Sequence, residues 1–311
     1  MFRDSLRIRL IVIFMAIISG CGQGEPRKIS LEKREAAAVR QVKTDEKHLR
    51  VAIGGMITPK EGFAYYRQLL DYVGDKMGRH VDLVDRDNYA EINRLVGLGE
   101  VDAAFVCGGP YVDGHRDFGM ELLAAPQVHG GTVYYAYVIV AKNSPISTFE
   151  GLRGKTFAFT DPLSNTGKLV PTYMLARMGE TPETFFKRYV YTQSHDKAIK
   201  AVAQGLVDGA AVDSLIWEYA NRTNPAFTSK TRVIRRSPPY GIPPVVVSAH
   251  LDKETRKRLR QILLDAHNDE KGREILNGMM IDRFVEISDS VYDSIREMEA
   301  WVVAQKRTKR K

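Results

Sequence analysis

The chain has 311 residues, with 46 lysines and arginines against 38 aspartates and glutamates, and its formal net charge is +8. A hydrophobic content of 44%, together with 25 glycines and 13 prolines, is that of a globular protein and excludes wholesale disorder, a collagen helix and a coiled-coil rod. Two cysteines with no CxxC pair exclude a disulfide framework and a zinc ribbon.

The first residues have the pattern of an export signal. Three arginines precede the apolar run from Leu10 to Ile18, and the small residues Ser19 and Gly20 separate that run from Cys21. A charged start, a short apolar stretch and small residues predict a secretory signal peptide over residues 1–20. The four residues that end at Cys21 resemble the bacterial lipobox, which implies that Cys21 carries a lipid and becomes the mature N-terminus. A plain signal peptide with an incidental cysteine and an uncleaved anchor are the alternatives.

The positive charge is concentrated at the two ends of the chain. Residues 21–49 are rich in charge and poor in aromatic side chains, so they predict a lipidated N-terminus and a flexible or partly helical linker. Residues 1–20 carry +2, residues 21–50 carry +3 and the basic tail 306–311 carries +5, which leaves −2 for residues 51–305. We therefore expect no nucleic-acid partner. The basic ends favour contact with anionic lipid headgroups beside a lipid anchor.

From Leu49 onward, short apolar runs alternate with amphipathic segments. The runs VAIGG, VDLVD and VDAAFV predict strands, and the segments between them predict helices. The alternation restarts at Gly154 and ends in three helical segments, which begin near Lys253, Lys271 and Ser288. This pattern predicts an α/β fold in two lobes with a ligand cleft between them. The predicted first lobe comprises residues 50–143 and 245–305, and the predicted second lobe comprises residues 144–244.

Three successive strands of the predicted second lobe end in polar residues directly before a helix. The run Ser164-Asn165-Thr166-Gly167 follows the first strand, His195 follows the second and Asp213 follows the third. Ligands of α/β sheets bind beyond the carboxyl ends of strands, and helix N-termini favour anions. The three strand ends therefore predict an oxyanion site. A structural interpretation also exists, since serine and aspartate are common helix N-caps and a lone histidine is often structural.

The stretch from Phe157 to Asp213, with TFAFTDPLSNTG and YVYTQSHDKAIKAVAQGLVDGAAV, resembles the phosphonate, phosphite and phosphate binding proteins of bacterial ABC importers. The segments NYAEINRLVGLGEVDAAFVCGGPYV and YYAYVIVAKNSPISTFEGLRGK resemble the same family, so the likeness covers roughly residues 50–300. The resemblance implies a type II periplasmic-binding-protein fold and a monomer on the extracytoplasmic face of the membrane. It also implies a small phosphorus oxyanion as ligand, ABC permease subunits as partners and no cofactor.

The resemblance also implies which residues contact the ligand. Relatives that bind aminoalkylphosphonates carry an acidic residue in the second crossing strand, where it can pair with the ammonium group. Residues 240–245 of this chain contain no acidic residue, so the resemblance disfavours an amino-bearing ligand. Asn165 stands where a hydroxyl residue is common in the family. The implied ligand-binding residues are Tyr89 of the first lobe, Tyr134 of the crossing strand (with its neighbour Tyr135 as an alternative), Ser164, Asn165, Thr166 and Gly167 of the turn, His195, and Asp213.

Asp213 sharpens the prediction of the ligand. A carboxylate repels an anion unless the anion bears a proton that it can donate, as monoprotonated phosphate, phosphonate and phosphite do. Sulfate has no such proton at neutral pH. If Asp213 faces the ligand, we expect a phosphorus oxyanion to bind in preference to sulfate. An Asp213 that only caps its helix is the alternative, and the choice among the three phosphorus oxyanions stays open.

Other functions are less favoured. Ser164, His195 and Asp213 are the residue types of a hydrolytic triad, but Ser164 lies in no GxSxG motif, so a serine hydrolase is a remote alternative and we expect no enzyme. The seven histidines form no HxH or HExxH pair, which disfavours a metal site. A lipoprotein that uses the same fold to sense a ligand for a signalling partner is the main alternative to transport.

Overall fold

The computed structural model describes residues 48–54, 60–86 and 88–308. The predicted signal peptide, the predicted lipidation site Cys21 and the linker up to residue 47 lie outside the described residues, as do the last three residues of the basic tail. None of the described helices is both long enough and apolar enough to cross a membrane.

Strands and helices of the described part are numbered in chain order. The strands are β1 (His48–Ile53), β2 (His80–Val84), β3 (Ala103–Phe105), β4 (Glu121–Gln127), β5 (Val133–Tyr134), β6 (Ala136–Ala141), β7 (Thr156–Phe159), β8 (Arg188–Tyr191), β9 (Gly209–Asp213), β10 (Thr231–Arg236), β11 (Tyr240–Gly241), β12 (Val245–Val247) and β13 (Arg283–Val285). The helices are α1 (Lys60–Met77), α2 (Tyr89–Gly97), α3 (Gly108–Phe118), α4 (Val170–Arg177), α5 (Pro182–Phe185), α6 (His195–Ala203), α7 (Ser214–Thr223), α8 (Lys253–Asp265), α9 (Glu270–Gly278) and α10 (Asp293–Thr308).

Two sheets form the two lobes. The six-stranded sheet has the order β13-β4-β12-β3-β1-β2, with β1 parallel to β2 and β3 and with β12 antiparallel to β3 and β4. The five-stranded sheet has the order β10-β6-β9-β7-β8, with β7 parallel to both of its neighbours. The predicted two-lobe α/β architecture is therefore confirmed.

Two short strands mark the places where the chain crosses between the sheets. β5 crosses to the second sheet and β11 crosses back, and these strands pair with each other in antiparallel fashion. The sequence-based boundary at residue 143 falls later than the observed crossing, because β6 pairs with β9 and β10 in the second sheet. The run VYYAYVIVA predicts a single strand. No residue in it indicates the break between β5 and β6.

Local sequence explains where several helices begin. The side chains of Asn88, Asp252 and Asp269 each accept a hydrogen bond from the backbone N–H three residues later, as N-cap residues do. Pro171 lies in the first turn of α4, a position that tolerates the missing N–H of proline.

Buried side chains hold each lobe together and join the two. The second lobe is packed around aromatic residues, and the rings of Phe157 and Phe186 stack with centroids 4.4 Å apart. A separate buried cluster takes side chains from both lobes and from the crossing strands, among them Tyr89, Tyr134 and Ile139. The lobes therefore meet through packed side chains around the crossing strands.

Candidate functional site

The three predicted strand ends lie side by side at one edge of the second sheet. β7 is parallel to β8 on one side and to β9 on the other, so the carboxyl ends of all three strands reach the same edge. A polar turn follows β7, α6 begins after β8 and α7 begins after β9. The N-termini of three helical segments therefore lie together at the place where the sequence predicted an oxyanion site.

The turn after β7 is a single turn of π-helix over Asn165–Leu169 rather than a direct start of α4. Ser164 caps it, because its hydroxyl accepts a hydrogen bond from the Gly167 N–H at 3.0 Å. A Cβ atom at Gly167 would lie only 1.8 Å from the Thr160 hydroxyl, so only glycine fits this close approach. The wide turn buries Asn165 and Thr166 completely, with 0% of each exposed.

His195 starts α6 and is 1% exposed. The preceding Gln193 has a left-handed φ of 65°, which turns the chain sharply at the end of β8. The Nδ1 atom of His195 accepts a hydrogen bond from the backbone N–H of Asp213 at 3.0 Å, so the ring carries its proton on Nε2. Burial lowers the pKa of His195 to about 3 and keeps the ring neutral. His195 is therefore a neutral donor through Nε2.

Asp213 ends β9 and caps α7, and it is 1% exposed. Its Oδ1 atom accepts the Leu215 N–H at 2.8 Å, whereas Oδ2 has no hydrogen-bond partner among the described residues. Burial raises the pKa of Asp213 to about 7, the bonds from the Leu215 and Ile216 backbone lower it, and the charge of Glu218 raises it. One carboxylate oxygen thus serves the helix cap, and the other stays available.

Tyr134 connects the lobes instead of presenting a free hydroxyl. Its oxygen accepts a hydrogen bond from the Asn165 side-chain amide at 3.0 Å and lies 3.4 Å from the Cys107 sulfur. Cys107 is buried in the first lobe, at the N-cap of α3 shortly after β3. First lobe, crossing strand and second-lobe turn are therefore linked by one chain of contacts.

Tyr89 begins α2 in the first lobe and is 3% exposed. Its backbone N–H donates to the Asp161 carboxylate of the second lobe at 3.1 Å. A Cβ atom at Gly109, at the start of α3, would lie 2.3 Å from the Leu163 carbonyl oxygen. The loop that follows β7 therefore packs directly against the N-termini of two first-lobe helices.

The pKa values of Tyr89, Tyr134 and Cys107 indicate that these residues lie close to Asp213. Burial is the main cause of the raised pKa values of Tyr89, Tyr134 and Cys107, and the charge of Asp213 adds to each of them. Such an effect requires proximity in a medium of low dielectric constant. Residues from both lobes therefore surround the same small region.

Buried polar atoms that lack a hydrogen-bond partner in the described part of the chain are concentrated at this edge. Leaving such an atom unsatisfied costs about 1–3 kcal/mol, so native proteins keep few of them. Their number at one place indicates a site where a polar ligand would satisfy them. The atoms are Thr160 Oγ1, Asn165 Oδ1, Thr166 Oγ1, Ser194 Oγ, His195 Nε2 and Asp213 Oδ2.

The structure thus brings together all eight residues that the sequence proposed as ligand contacts, and three further polar residues lie beside them. Ser194 occupies the N-cap position of α6 without making the capping bond, and Thr160 and Asp161 follow the apolar part of β7. A serine before a helix normally signals a cap, so no sequence signal distinguishes a hydroxyl left for a ligand. The bonds of Ser164 to Gly167 and of His195 to the Asp213 backbone are not those of a hydrolytic triad.

Known proteins share both the sequence pattern and the fold. A sequence profile of the family described as "ABC transporter, phosphonate, periplasmic substrate-binding protein" matches residues 55–292. The probable ABC transporter phosphite binding protein of Prochlorococcus marinus (strain MIT 9301) is 26% identical over 214 residues, which cover 65% of this chain and 68% of the relative. The phosphonates-binding periplasmic protein of Escherichia coli (strain K12) is 25% identical over 228 residues, which cover 72% of this chain and 67% of the relative.

Solved structures show the same fold. A binding protein component of an ABC phosphonate transporter from Pseudomonas aeruginosa has a TM-score of 0.79 at 23% identity, covering 84% of this chain and 88% of that one. A Prochlorococcus marinus protein in complex with methylphosphonate has a TM-score of 0.74 at 20% identity, covering 82% and 97%. Since the family profile spans most of the residues, the chain belongs to the family of periplasmic substrate-binding proteins of phosphonate ABC transporters, which bind solutes and are not enzymes.

Proposed function

We propose that the chain binds a phosphorus oxyanion between its two lobes, by closure of the cleft, and delivers it to the permease of an ABC importer. The observation that carries this proposal is the set of buried polar atoms at the edge of the second sheet that no described residue satisfies. The relatives named for phosphite and phosphonates support the class of ligand. Contacts between the loop after β7 and the first-lobe helices support closure, because they bury the same edge.

Neutral groups supply the attraction. The Nε2–H of His195, the hydroxyls of Thr166 and Ser194, and backbone N–H groups at the starts of the converging helices are all donors that suit an anion. Each hydrogen bond to a charged acceptor contributes about 1.5–3 kcal/mol. Several of them suffice for micromolar or tighter binding after the cost of association. A basic side chain at the centre is not required.

Asp213 supplies the selectivity. Its unpartnered Oδ2 accepts a hydrogen bond from a ligand that carries one proton, and a phosphorus oxyanion near neutral pH carries one or can share one. Because burial raises the pKa of Asp213 to about 7, the single proton is shared between carboxylate and ligand. A protonated Asp213 also donates to sulfate, so we expect discrimination against sulfate to be largest at pH 7–8 and to shrink below pH 6.

Isothermal titration calorimetry at pH 7.5 tests the proposal with phosphate, phosphite, methylphosphonate and sulfate. We expect at least one phosphorus oxyanion to bind with micromolar or tighter affinity and sulfate to bind at least tenfold more weakly. Small-angle scattering of the same samples should show a smaller radius of gyration with ligand, since closure brings the lobes together. Equal affinity for sulfate, or no binding of any phosphorus oxyanion, contradicts the proposal.

The family implies a location outside the cytoplasm, and we propose that a lipid on Cys21 holds the protein at the membrane there. Cys21 lies outside the described residues, and the lipobox-like sequence before it supports the proposal. A Cys21→Ser variant should appear in the soluble extracytoplasmic fraction, whereas the unaltered protein should sediment with membranes and carry the mass of its acyl chains. Membrane association that survives C21S contradicts lipidation.

A further inference from the structure

Helix α7 makes a second contact between the lobes, separate from the contact of the loop after β7. The Tyr219 hydroxyl of α7 donates a hydrogen bond to the backbone carbonyl of Gly278, the last residue of α9 in the first lobe, at 3.4 Å. Tyr219 is 5% exposed, so little water competes for this bond. Carbonyls in the last turn of a helix have no partner within the helix, and the phenol supplies one.

The chain directly after α9 holds a strained residue beside this contact. The backbone N–H of Met280 bonds to the Asn277 carbonyl, and the N–H of Ile281 bonds to the Leu276 carbonyl. This pair of bonds is the Schellman motif that ends many helices. The motif needs one residue in the left-handed conformation, which is usually glycine because a side chain makes that conformation costly. Here the residue is Met280, with a φ of 59°.

Met280 lines a cavity of about 60 Å³ between the lobes. Leu215, Ile216 and Tyr219, all on α7, line the same cavity from the second lobe. Backbone strain at a residue persists only where the surrounding structure compensates for it, and strained residues are common at functional sites. A methionine side chain adapts to an irregular gap, so Met280 suits contact with a helix that approaches when the lobes close.

Helix α7 connects this contact to the oxyanion site. Asp213 is the N-cap of α7, and its Oδ2 atom is buried with no partner in the described part of the chain. Tyr66 of the first lobe has its pKa raised by burial and further by the neighbouring Asp213 and Tyr219, which indicates that the three side chains lie close together. The Tyr137 hydroxyl donates to Glu218 and thereby fixes α7 to its own lobe. Helix α7 therefore moves with the second lobe, and its contact with α9 determines where Asp213 lies relative to the first lobe.

We propose that Tyr219 and Met280 are positioning residues for ligand binding: they hold α7 against the C-terminus of α9 in the closed protein and so place Asp213 beside the ligand. This rests on the proposed function, because it assigns the contact that keeps the same cleft closed. Neither residue contacts the ligand in this arrangement. They set the fraction of protein in the binding-competent closed form, and the apparent affinity falls in proportion to that fraction. They do not affect the choice between ligands.

Met280→Gly tests the side chain of the strained residue. Glycine is the residue that the left-handed position favours, so the relief of strain should offset the lost side-chain contacts and leave urea unfolding of the ligand-free protein little changed. Calorimetry should show methylphosphonate binding roughly threefold or more weakly, and stopped-flow measurement should show faster dissociation. The ratio of methylphosphonate to sulfate affinity should stay the same. An unchanged methylphosphonate affinity, or a changed ratio, overturns the inference.

Tyr219→Phe and a matched control separate positioning from stability. Tyr292 also donates its hydroxyl to a backbone carbonyl, that of Ile242 at 2.7 Å, after the chain has crossed back to the first lobe. Both substitutions remove one buried phenol-to-carbonyl bond, so both should lower the midpoint of urea unfolding. Only Tyr219→Phe should weaken methylphosphonate binding, by about fivefold and through faster dissociation. No loss of affinity in Y219F, or an equal loss in Y292F, overturns the inference and leaves oxyanion binding intact. If the unaltered protein binds no phosphorus oxyanion, the proposed function itself fails.

Discussion

Two buried aspartates, one in each lobe, have opposite surroundings. Asp102 is 4% exposed and lies just before β3, and Asp213 is 1% exposed at the end of β9. The carboxylate of Asp102 accepts hydrogen bonds from the Arg50 guanidinium at 2.8 and 3.1 Å and from the Arg50 backbone N–H at 2.7 Å. The carboxylate of Asp213 meets one backbone N–H on Oδ1, and no described residue bonds to Oδ2.

Under the proposed function, this difference separates a structural carboxylate from one that binds the ligand. Burying a charge is costly unless partners replace water, and Asp102 has those partners within the chain. Asp213 lacks half of them, so the ligand-free protein bears a cost that a proton-bearing ligand removes. We therefore expect the two residues to affect stability and binding in opposite ways.

The largest effect is expected from Asp213→Asn. Loss of the acceptor for the ligand proton should weaken phosphorus oxyanion binding about 10- to 100-fold, since hydrogen bonds of charged groups contribute about 1.5–3 kcal/mol. Discrimination against sulfate should fall as well, because an amide donates to either anion. Calorimetry with methylphosphonate and sulfate at pH 7.5 measures both changes.

The matched control is Asp102→Asn. It should leave the affinity for methylphosphonate unchanged and lower the free energy of unfolding by about 3 kcal/mol, because it leaves Arg50 with a weaker partner. Urea unfolding of both variants without ligand gives the comparison. A ligand-binding loss in D102N as large as that in D213N contradicts the separation of roles.

Asp213 also predicts how stability depends on pH. Burial raises its pKa from 3.8 to about 7, so the native state binds the proton more tightly than the unfolded chain. Stability of the ligand-free protein from this group is present below about pH 4 and is lost as pH rises to about 7, by up to about 4 kcal/mol. D213N should therefore be more stable than the unaltered protein at pH 7.5, and the gap should close towards pH 4.

His195 changes the free energy of unfolding with pH in the opposite direction to Asp213. The pH dependence of Asp213 is therefore measured from the difference between D213N and the unaltered protein. Burial lowers the pKa of His195 to about 3, so stability from this group is lost as pH falls below about 6.5. The two contributions offset each other between about pH 4 and 6.5. A D213N protein that is less stable than the unaltered chain at pH 7.5 contradicts a strained, buried Asp213.

A second expected effect concerns the contact between the lobes. Gly109→Ala places a methyl group 2.3 Å from the Leu163 carbonyl oxygen, so the loop after β7 must move away from α3. We expect methylphosphonate affinity to fall more than tenfold, with little change in ligand-free stability, because the lobes can separate to relieve the clash. Gly131→Ala is the control, since a Cβ atom there meets its nearest neighbour at 3.8 Å. Equal affinities for the two variants would show that this contact is absent from the complex.

The part of the fold that depends on the local pattern of apolar and polar residues could be predicted from the sequence. Apolar runs separated by amphipathic segments predicted both lobes, and the helices that begin at Lys253, Glu270 and Asp293 were expected within a few residues. Each of these features depends on the period of side chains along one segment, which a single sequence displays.

Features that depend on contacts between two distant segments could not be predicted from the sequence. In the π-helical turn after Ser164, Gly167 packs closely against Thr160, which lies outside that turn. The link from Cys107 through Tyr134 to Asn165 needs both lobes in place. A cysteine in an apolar run signals only burial, and no spacing in the chain predicts that its sulfur faces a phenol from the crossing strand.

A smaller effect is expected from pH on binding itself. The proposed complex holds one proton between Asp213, with its pKa of about 7, and the ligand. Above about pH 8 both groups are ionised, so binding must take up a proton and affinity should fall towards tenfold per pH unit. Calorimetry with methylphosphonate from pH 6 to 9 should show a maximum near pH 7, and the profile of D213N should be flatter. A profile that is the same in both proteins contradicts the shared proton.

The smallest effect is expected from Tyr134→Phe, because the hydroxyl of Tyr134 joins protein groups to each other. Its loss leaves the Asn165 amide, which now donates to that oxygen at 3.0 Å, without this partner. We expect a loss of about 1 kcal/mol in stability and about a fivefold loss in affinity, the scale of one neutral hydrogen bond.

Tyr189→Phe removes a hydroxyl that donates to Glu183 on the exposed side of β8, and it should change both quantities by less than about 0.5 kcal/mol. A loss in Y134F as large as that in D213N would mean that Tyr134 binds the oxyanion directly, as the family resemblance suggested, and that its bond to Asn165 is replaced when the ligand binds.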